Sequence, residues 1–151
     1  MNGTVVAKQL MQEEGSRGTV YQDTLGFWTI GIGRLVDARK AGAGLSTEEV
    51  QYLLQNDIKK IETHLDAAIP WWRELNEPRQ AVILGMAFQL GINGLLQFTN
   101  TLAAVRYGNF QGAHDGILNS KWAKQTPGRA ERMALQMLTG QWQAKEGFTL
   151  P

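Results

Sequence analysis

Residues 19–36 form the only stretch of this chain whose composition is typical of β-strands, TVYQDTLGFWTIGIGRLV. β-Branched and aromatic side chains favour strands, and Gly26, Gly31 and Gly33 supply turn positions between them. Elsewhere the apolar residues recur at helical spacing. Because one short β region can build only a small sheet, we predict an α+β fold in which helices form most of the core.

Two helices in the first half of the chain are marked by their ends. A short helix over residues 4–13 should stop at Gly15. A long helix over residues 47–66 should begin at a capping box formed by Ser46 and Glu49, in which each side chain bonds a backbone N–H of the other residue. The apolar residues of this long helix share one face: Val50, Leu53, Leu54, Ile58, Ile61 and Leu65.

The second half of the chain has a helical pattern throughout. Asn76 is a plausible cap for a helix containing AVILGMAFQL, a run so apolar that it should lie at the buried centre of a lobe. We expect Gly91 to end that helix. Short helices should follow, separated by Gly94, Gly108 and Pro127, with an amphipathic helix last.

These elements predict one domain with two lobes over residues 1–151. The N-terminal lobe, approximately residues 14–58, is small and carries a β-hairpin sheet. The connecting helix over 47–66 joins it to a helical C-terminal lobe. That second lobe comprises residues 70–151 together with helix 4–13, and a cleft between two lobes is a common place for a ligand.

The composition excludes several kinds of chemistry. The 151 residues include no cysteine, which rules out disulfides, thiolate zinc sites and cysteine nucleophiles. The 2 histidines, His64 and His114, are too far apart in sequence to suggest a metal site, so we expect neither a metal nor another cofactor. The balance of 15 basic and 14 acidic residues, net +1, is too small to indicate a nucleic-acid partner.

The sequence also predicts no targeting segment. The first twenty residues lack a basic start followed by an uninterrupted apolar run, and no stretch approaches the roughly 18 apolar residues of a membrane span. We therefore expect a protein that starts in a cytoplasm, has no signal peptide and makes no stable membrane association.

Glu14, Asp23 and Thr29 form the pattern with the most chemistry. Glu14 follows the first predicted helix, whereas Asp23 and Thr29 lie on a glycine-rich hairpin that can fold back beside it. Glycoside hydrolysis needs one carboxylic acid to protonate the leaving oxygen and one carboxylate to activate water or attack the sugar. Glu14 is the better candidate for the acid and Asp23 for the base, and Thr29 could orient a water. Among 14 acidic residues, the same spacing also arises by chance on a solvated surface.

Several sequence blocks resemble the phage lysozymes, glycoside hydrolase family 24. QEEG, YQDT and FWTIGIG match the family's catalytic region, and AFQLG at 87–91, FTNTL at 98–102 and SKWAKQTPGRAERM at 120–133 follow in the family's order. The resemblance covers nearly the whole chain. It implies a lysozyme-like two-lobed fold and an endolysin muramidase that cleaves the β-1,4 bond between N-acetylmuramic acid and N-acetylglucosamine, with inversion.

The resemblance assigns roles to individual residues. Glu14 would be the general acid, Asp23 the carboxylate that activates or replaces the attacking water, and Thr29 the residue that positions this water. Four further residues match positions that line the saccharide cleft: Leu35, Phe88, Gln89 and Thr101. A supporting cluster is formed by Trp122, Gln125 and Arg129. Arg129 would be mainly architectural, with an electrostatic influence on Glu14, and packing or capping is the alternative role for each of the others.

Three departures from the family pattern affect these expectations. Arg34 stands where the family commonly has His, and the matching acidic position is Asp57, so we predict an Arg34–Asp57 ion pair. Gly116 replaces a sugar-contacting Asn, with Asn119 one turn further on. The segment 36–45 is shorter than in the T-even phage type, which should leave the upper rim of the cleft more open.

The resemblance also implies partners and a route to them. We expect a monomer that acts on peptidoglycan glycan strands, accumulates in the host bacterial cytoplasm and reaches the periplasmic peptidoglycan through a holin lesion. Two other functions stay open: a lytic transglycosylase acting on the same bond, and a non-catalytic wall-binding domain with the same fold. The basic residues near Trp122 are a solvated face or a contact to anionic wall polymer rather than a nucleic-acid site: Lys121, Lys124, Arg129 and Arg132.

Overall fold

A computed structural model describes residues 3–151 of the chain. The described residues form seven α-helices, one 3-10 helix and one three-stranded antiparallel sheet, which confirms the predicted α+β class. They group into two compact units, the first ending at Leu53 and the second beginning at Leu54. The single domain over 1–151 and the grouping of helix 4–13 with the helical lobe stay predictions.

The first unit contains one helix, the whole sheet and the start of the long helix. Its elements are α1 (Gly3–Glu14), β1 (Arg17–Gln22), β2 (Trp28–Gly31), β3 (Arg34–Leu35) and the beginning of α2 (Thr47–Ala68). The strands are adjacent in chain order, so each is joined to the next by a tight connection. The predicted β region is therefore confirmed.

The predicted ends of the two helices are also confirmed. Gly15 follows α1 with a φ of +73°, and its N–H donates to the Met11 carbonyl over 3.0 Å. At the start of α2, the Glu49 N–H donates to Ser46 Oγ over 3.2 Å and the Ser46 N–H donates to Glu49 Oε2 over 2.8 Å. These contacts satisfy backbone groups that a helix end leaves without partners.

The long helix α2 buries only part of its predicted apolar face. Leu65 is completely buried in the second unit. Leu53, near the other end, is largely exposed and lines an open apolar cavity of about 540 Å³ together with Ile30, Leu45 and Tyr52. The cavity includes a residue of the short segment 36–45, Leu45, and leaves apolar surface of the first unit open to solvent.

The second unit is helical. After α2 it consists of a 3-10 helix (Pro70–Glu74), α3 (Glu77–Leu96), α4 (Thr99–Arg106), α5 (Phe110–Leu118), α6 (Lys121–Gln125) and α7 (Pro127–Thr139). The apolar centre of α3 lies in its core, as predicted, and α5 packs against both α4 and α7. Within residues 3–151 no single helix is long and apolar enough to cross a membrane, although α3 and α4 pass that test as a pair bent by 106°.

Helix α3 begins and bends where the sequence places special residues. The Asn76 side chain caps its start, as predicted. Gly91 leaves helical geometry, with φ 75° and ψ 163°, but a further turn follows at once and continues to Leu96. The prediction that Gly91 ends the first helical segment is therefore confirmed, because two helical segments meet there at a kink. The prediction for Gly94 is wrong, because Gly94 lies within the second segment and not between two helices. The burial of Leu95 gives a physical reason for the extra turn, because it places this side chain in the core.

Arg79 ties the start of α3 to the end of α7. Its guanidinium donates to the Met137 carbonyl over 2.8 Å and to the Leu138 carbonyl over 3.0 Å. The same group lies 3.5 Å from the centroid of the Phe110 ring. The last carbonyls of a helix have no hydrogen-bond partner within that helix. The Arg79 hydrogen bonds supply partners for two such carbonyls of α7 and fix the distance between α7 and α3.

Gly116 allows α4 and α5 to pack closely. A Cβ atom built at this position would overlap Thr101 Oγ1 and lie 3.3 Å from Thr101 Cβ. Thr101 itself is only 8% exposed. The departure from the family pattern at Gly116 thus has a packing explanation, since the space that a larger side chain would need is filled by Thr101.

We expect Gly116→Ala to destabilise the protein. Overpacking typically costs about 1–3 kcal/mol, while replacing a helical glycine by alanine returns up to about 1 kcal/mol, so the free energy of unfolding should fall by about 1–2 kcal/mol. Urea denaturation measures this. In a Thr101→Ala background the same change should cost little or nothing, and an equal cost in both backgrounds would contradict the packing explanation.

Candidate active site

Glu14 is the last residue of α1, and its carboxyl group lies against the turn between β2 and β3. A Cβ atom built on Gly33 in that turn would be 3.1 Å from Glu14 Oε2. Gly33 has a φ of +67°, a conformation that side chains disfavour. Glu14 is exposed, and no residue in the described part of the chain forms a hydrogen bond with its carboxyl group. The carboxyl is therefore placed by the fold but available to a ligand.

Asp23 lies just after β1 and is held by the turn that its own side chain forms. Asp23 Oδ1 accepts the N–H of Leu25 over 2.9 Å and the N–H of Phe27 over 2.8 Å. The Asp23 N–H in turn donates to the Phe27 carbonyl over 2.9 Å. Side chains of Asp commonly organise turns in this way. One carboxylate oxygen is thus fixed, and the other, Oδ2, has no hydrogen-bond partner among residues 3–151.

Thr29 lies on β2 and is only 4% exposed. Its hydroxyl donates to the Phe27 carbonyl over 3.1 Å, the same carbonyl that accepts the Asp23 N–H. In the sheet Thr29 is paired with Leu35 of β3. Residues directly opposite in an antiparallel pair share a face, so the structure places Leu35 beside Thr29. Phe27 therefore connects two of the predicted catalytic residues through its backbone.

Asp37 and Arg39 hold the backbone on either side of Phe27, and the sequence predicted neither of them. Asp37 is only 3% exposed, and its Oδ2 accepts the Trp28 N–H over 3.0 Å. Arg39 binds the Asp37 carboxylate with Nε at 2.8 Å and Nη2 at 2.6 Å, and Nη2 also donates to the Gly26 carbonyl over 3.1 Å. The Arg39 guanidinium and the Trp28 N–H hold the pKa of Asp37 well below its ordinary value.

The only sequence signal for this pair was a carboxylate two residues before an arginine in the small-residue segment 36–45. That pattern is common in loops and indicates no particular contact. What gives it significance is the β2–β3 pairing, which brings the start of the segment back onto β2: the Val36 N–H donates to the Trp28 carbonyl over 2.9 Å.

The predicted Arg34–Asp57 ion pair is wrong. Arg34 binds Glu49 instead, with Nη2 2.6 Å from Oε1 and Nη1 2.9 Å from Oε2. The capping box explains the choice, because the Ser46 N–H holds the Glu49 carboxylate at the very start of α2. The hydrogen bonds from Arg34 and Ser46 lower the pKa of Glu49 from 4.5 to about 2. Asp57 lies two turns further along α2.

The predicted substrate residues of the second unit have different surroundings. Phe88 is 46% exposed and lines a cavity of about 510 Å³ between α2 and α3. Gln89 is exposed. Thr101 is largely buried against Gly116, which leaves little of its surface for a ligand. The polar residues of the Phe88 cavity all come from α2: Asp57, Lys60 and His64.

The predicted supporting cluster lies around α6 and the start of α7. Trp122 is 3% exposed, and its indole Nε1 has no hydrogen-bond partner among the described residues. Gln125 lines a cavity of about 390 Å³ together with Trp122. Arg129 donates to the Gly85 carbonyl over 3.3 Å, which ties α7 to α3. Its influence on Glu14 stays a prediction.

The predicted catalytic residues of the first unit carry the kinds of groups that proton transfer and water binding require. They offer two carboxyl groups, each with at least one oxygen free of hydrogen bonds from the described residues, and a hydroxyl whose proton is already donated. These are the groups that general acid–base catalysis uses. Among residues 3–151 no group of three or more His, Asp or Glu side chains could hold a metal ion.

Comparison with known protein families matches residues 11–141 to the phage lysozyme model. The chain belongs to the phage lysozyme family. The matched residues of this lysozyme family member include Glu14, Asp23 and Thr29 and all the predicted substrate and supporting residues. The sequence resemblance is thus confirmed at the level of the family.

The chain covers very different shares of its relatives. It is 31% identical to the Pre-baseplate central spike protein Gp5 of Enterobacteria phage T4, over 89% of the chain and 28% of the relative. It is 36% identical to the Peptidoglycan hydrolase gp36 of Pseudomonas phage phiKMV, over 86% of the chain and 15% of the relative. It is 29% identical to the Probable T4-type lysozyme 1 of Dictyostelium discoideum, over 89% and 94% respectively. The chain therefore spans less than a third of the first two relatives.

We expect the stability contributed by Glu49 to depend on pH. Because folding lowers its pKa from 4.5 to about 2, this stability is complete above about pH 5 and is lost as the pH falls towards 2. The difference in unfolding free energy between the parent and Glu49→Gln should therefore be constant at neutral pH and shrink in acid. Urea titrations at a series of pH values measure it.

A double-mutant cycle identifies the partner of Arg34. At pH 7, Arg34→Gln should show a coupling energy with Glu49→Gln and none with Asp57→Asn. A glutamine side chain in place of Glu49 can still accept the Ser46 N–H, as capping boxes allow, so the cycle isolates the ion pair. Coupling to Asp57 alone would contradict the assignment.

Proposed function

We propose that this chain is a peptidoglycan-cleaving lysozyme, a muramidase that hydrolyses the β-1,4 bond between N-acetylmuramic acid and N-acetylglucosamine. Membership of the phage lysozyme family supports the proposal, as do relatives named Peptidoglycan hydrolase and, in Salmonella phage P22, Endolysin, which is 28% identical over 79% of the chain. The observation that carries it is the Phe27 backbone, which forms hydrogen bonds with both Asp23 and Thr29. In the same sheet, the turn between β2 and β3 lies against Glu14.

In this mechanism Glu14 is the general acid. Its carboxylic acid donates a proton to the glycosidic oxygen as the bond between that oxygen and the anomeric carbon breaks. The lack of hydrogen bonds to this carboxyl from the described residues supports the role, because a ligand can then be its partner. Gly33 keeps the space beside Oε2 free of a side chain.

Asp23 and Thr29 would hold the attacking water. Since the Thr29 hydroxyl donates its own proton to Phe27, its oxygen is left to accept a hydrogen bond from water. The water would donate its second proton to Asp23 Oδ2, which the Leu25 and Phe27 N–H groups leave free by binding Oδ1. A lone pair on the water oxygen then points at the anomeric carbon, and Asp23 takes up the proton as the new bond forms.

This arrangement favours hydrolysis over transglycosylation. A lytic transglycosylase forms an anhydro sugar without adding water. It therefore has no need for a carboxylate such as Asp23 and a hydroxyl such as Thr29 to hold a water. Direct attack by water on the face opposite the leaving group inverts the configuration of the anomeric carbon. We therefore propose an inverting reaction.

The proposed substrate also suggests how the protein meets it. The partner would be the glycan strands of peptidoglycan, bound by a monomer. Leu35 in the first unit and Phe88 and Gln89 in the second stay the candidate saccharide contacts, whereas the packing of Thr101 against Gly116 argues against a contact there. Following the family resemblance, we propose that the protein accumulates in the host bacterial cytoplasm and reaches the periplasmic wall through a lesion made by a holin.

We expect Glu14→Gln and Asp23→Asn to abolish most lytic activity. Loss of a general acid or base typically lowers turnover by about 10²–10⁴-fold, and both changes keep the side-chain size. The assay is the clearing of outer-membrane-permeabilised Gram-negative cells by purified protein, with circular dichroism as the control for folding.

The products separate the proposed reaction from its alternatives. Mass spectrometry of digested wall should show reducing muramic acid ends. Anhydro ends would establish a transglycosylase instead. Equal clearing by the parent and by Glu14→Gln would show that Glu14 is not the acid, and wall binding without any cleavage would indicate a non-catalytic domain.

A pair of glycine variants tests the placement of Glu14. Gly33 and Gly31 both have positive φ, 67° and 68°, but a Cβ on Gly33 meets Glu14 whereas a Cβ on Gly31 meets nothing within 4 Å. Alanine at either position should cost about 1–2 kcal/mol of backbone strain. Only Gly33→Ala should also lower turnover, by about tenfold or more, because it displaces the acid. Equal turnover in the two variants would contradict this placement.

A further inference from the structure

The segment that follows β3 holds the backbone on which both Asp23 and Thr29 depend. Residues 26–28 are contacted at every position by Asp37, Arg39 or Lys40. Arg39 Nη2 donates to the Gly26 carbonyl over 3.1 Å, and Asp37 Oδ2 accepts the Trp28 N–H over 3.0 Å. These contacts lie on either side of Phe27 in the chain.

Phe27 itself is held through its ring. The Arg39 guanidinium lies 5.1 Å from the ring centroid and the Lys40 ammonium lies 4.3 Å from it. A cation at this distance from an aromatic face is attracted to it. The backbone of the same residue donates to Asp23 Oδ1 and accepts from the Asp23 N–H and the Thr29 hydroxyl.

From this geometry we propose that Asp37 and Arg39 are positioning residues for the proposed hydrolysis: they clamp residues 26–28, so that the Phe27 backbone, which binds Asp23 Oδ1 and the Thr29 hydroxyl, keeps Asp23 Oδ2 and Thr29 Oγ1 oriented towards one water. We call these two residues the Asp37–Arg39 clamp. The inference rests on the proposed function, because it assigns the clamp an effect on the water-activating pair. Neither clamp residue contacts the substrate or the reacting atoms in this role.

The burial of Asp37 indicates that the clamp is a built feature of the first unit. A carboxylate that is 3% exposed is costly unless it is fully hydrogen-bonded, and this one is bound by an arginine fork and by two backbone N–H groups, those of Trp28 and Arg39. The sheet it supports is short, with strands of 6, 4 and 2 residues. A sheet of this size provides little stiffness by itself. The position of the β1–β2 turn therefore depends on contacts such as those of Asp37 and Arg39.

Arg39→Gln tests the proposal, with Glu49→Gln as the matched control. Both remove one arginine–carboxylate fork from the first unit, but only the first touches residues 26–28. On a soluble peptidoglycan fragment, Arg39→Gln should lower kcat by about ten- to a hundredfold with KM unchanged. Glu49→Gln should leave both constants near those of the parent. In an Asp23→Asn background Arg39→Gln should have a much smaller effect on kcat, because the carboxylate that it positions is gone.

Amide hydrogen exchange gives a readout that does not depend on activity. The Phe27 and Leu25 amides, which bond Asp23 Oδ1, should exchange at least about tenfold faster in Arg39→Gln and at the parent rate in Glu49→Gln. Arg39→Lys keeps the charge but has no fork, so it should lie between the parent and Arg39→Gln in both measurements. It also provides a second variant if Arg39→Gln folds poorly.

Three results would overturn the proposal: unchanged kcat in Arg39→Gln, a change in KM alone, or an equal loss of kcat in Glu49→Gln. Failure of the proposed function looks different. In that case the parent and Glu14→Gln would show the same lack of hydrolysis, while the exchange rates would still show whether Arg39 holds the Asp23 turn.

Discussion

The backbone of Phe27 carries the contacts on which the candidate site depends. Its N–H fixes one oxygen of Asp23, and its carbonyl accepts from both the Asp23 N–H and the Thr29 hydroxyl. These bonds decide which atoms remain for chemistry. In the proposed mechanism, Asp23 uses the oxygen that no described residue binds and Thr29 uses an oxygen that can only accept, so a water between them would have both protons directed and a lone pair free. The hydrogen bonds to Phe27 thus determine which atoms of Asp23 and Thr29 are left to bind a ligand.

A small sheet needs outside support, and two arginine–carboxylate forks support different parts of this one, of which only the Asp37–Arg39 clamp contacts residues 26–28. Arg39 and Asp37 brace the β1–β2 turn, while Arg34 and Glu49 connect β3 to the start of α2. Asp37 and Arg39 lie within segment 36–45, whereas Arg34 precedes this segment and Glu49 follows it. In a unit with few buried apolar side chains, charged hydrogen bonds of defined geometry take over part of the positioning that a larger core would supply.

The helical unit is organised differently. Its elements are held by packing of apolar side chains, and its polar contacts mainly satisfy the ends of helices, as Arg79 does for the last carbonyls of α7. Close approach of α4 and α5 at Gly116 shows how tightly this core is filled. The consequence for function is that Thr101, which the family resemblance associates with the saccharide, is largely taken up by packing.

The sequence by itself determined the elements of this protein, because helix caps, glycine turns and strand composition act over a few residues. The Ser46–Glu49 box, the Gly15 stop and the β region were all predicted correctly for that reason. It also determined the family and the candidate catalytic residues, which lie in short motifs. Only the tertiary structure decided which partners these residues meet. Arg34 binds Glu49 rather than Asp57, and Asp37 and Arg39 clamp the Asp23 turn, because such contacts depend on how strand pairing and helix starts bring distant backbone together.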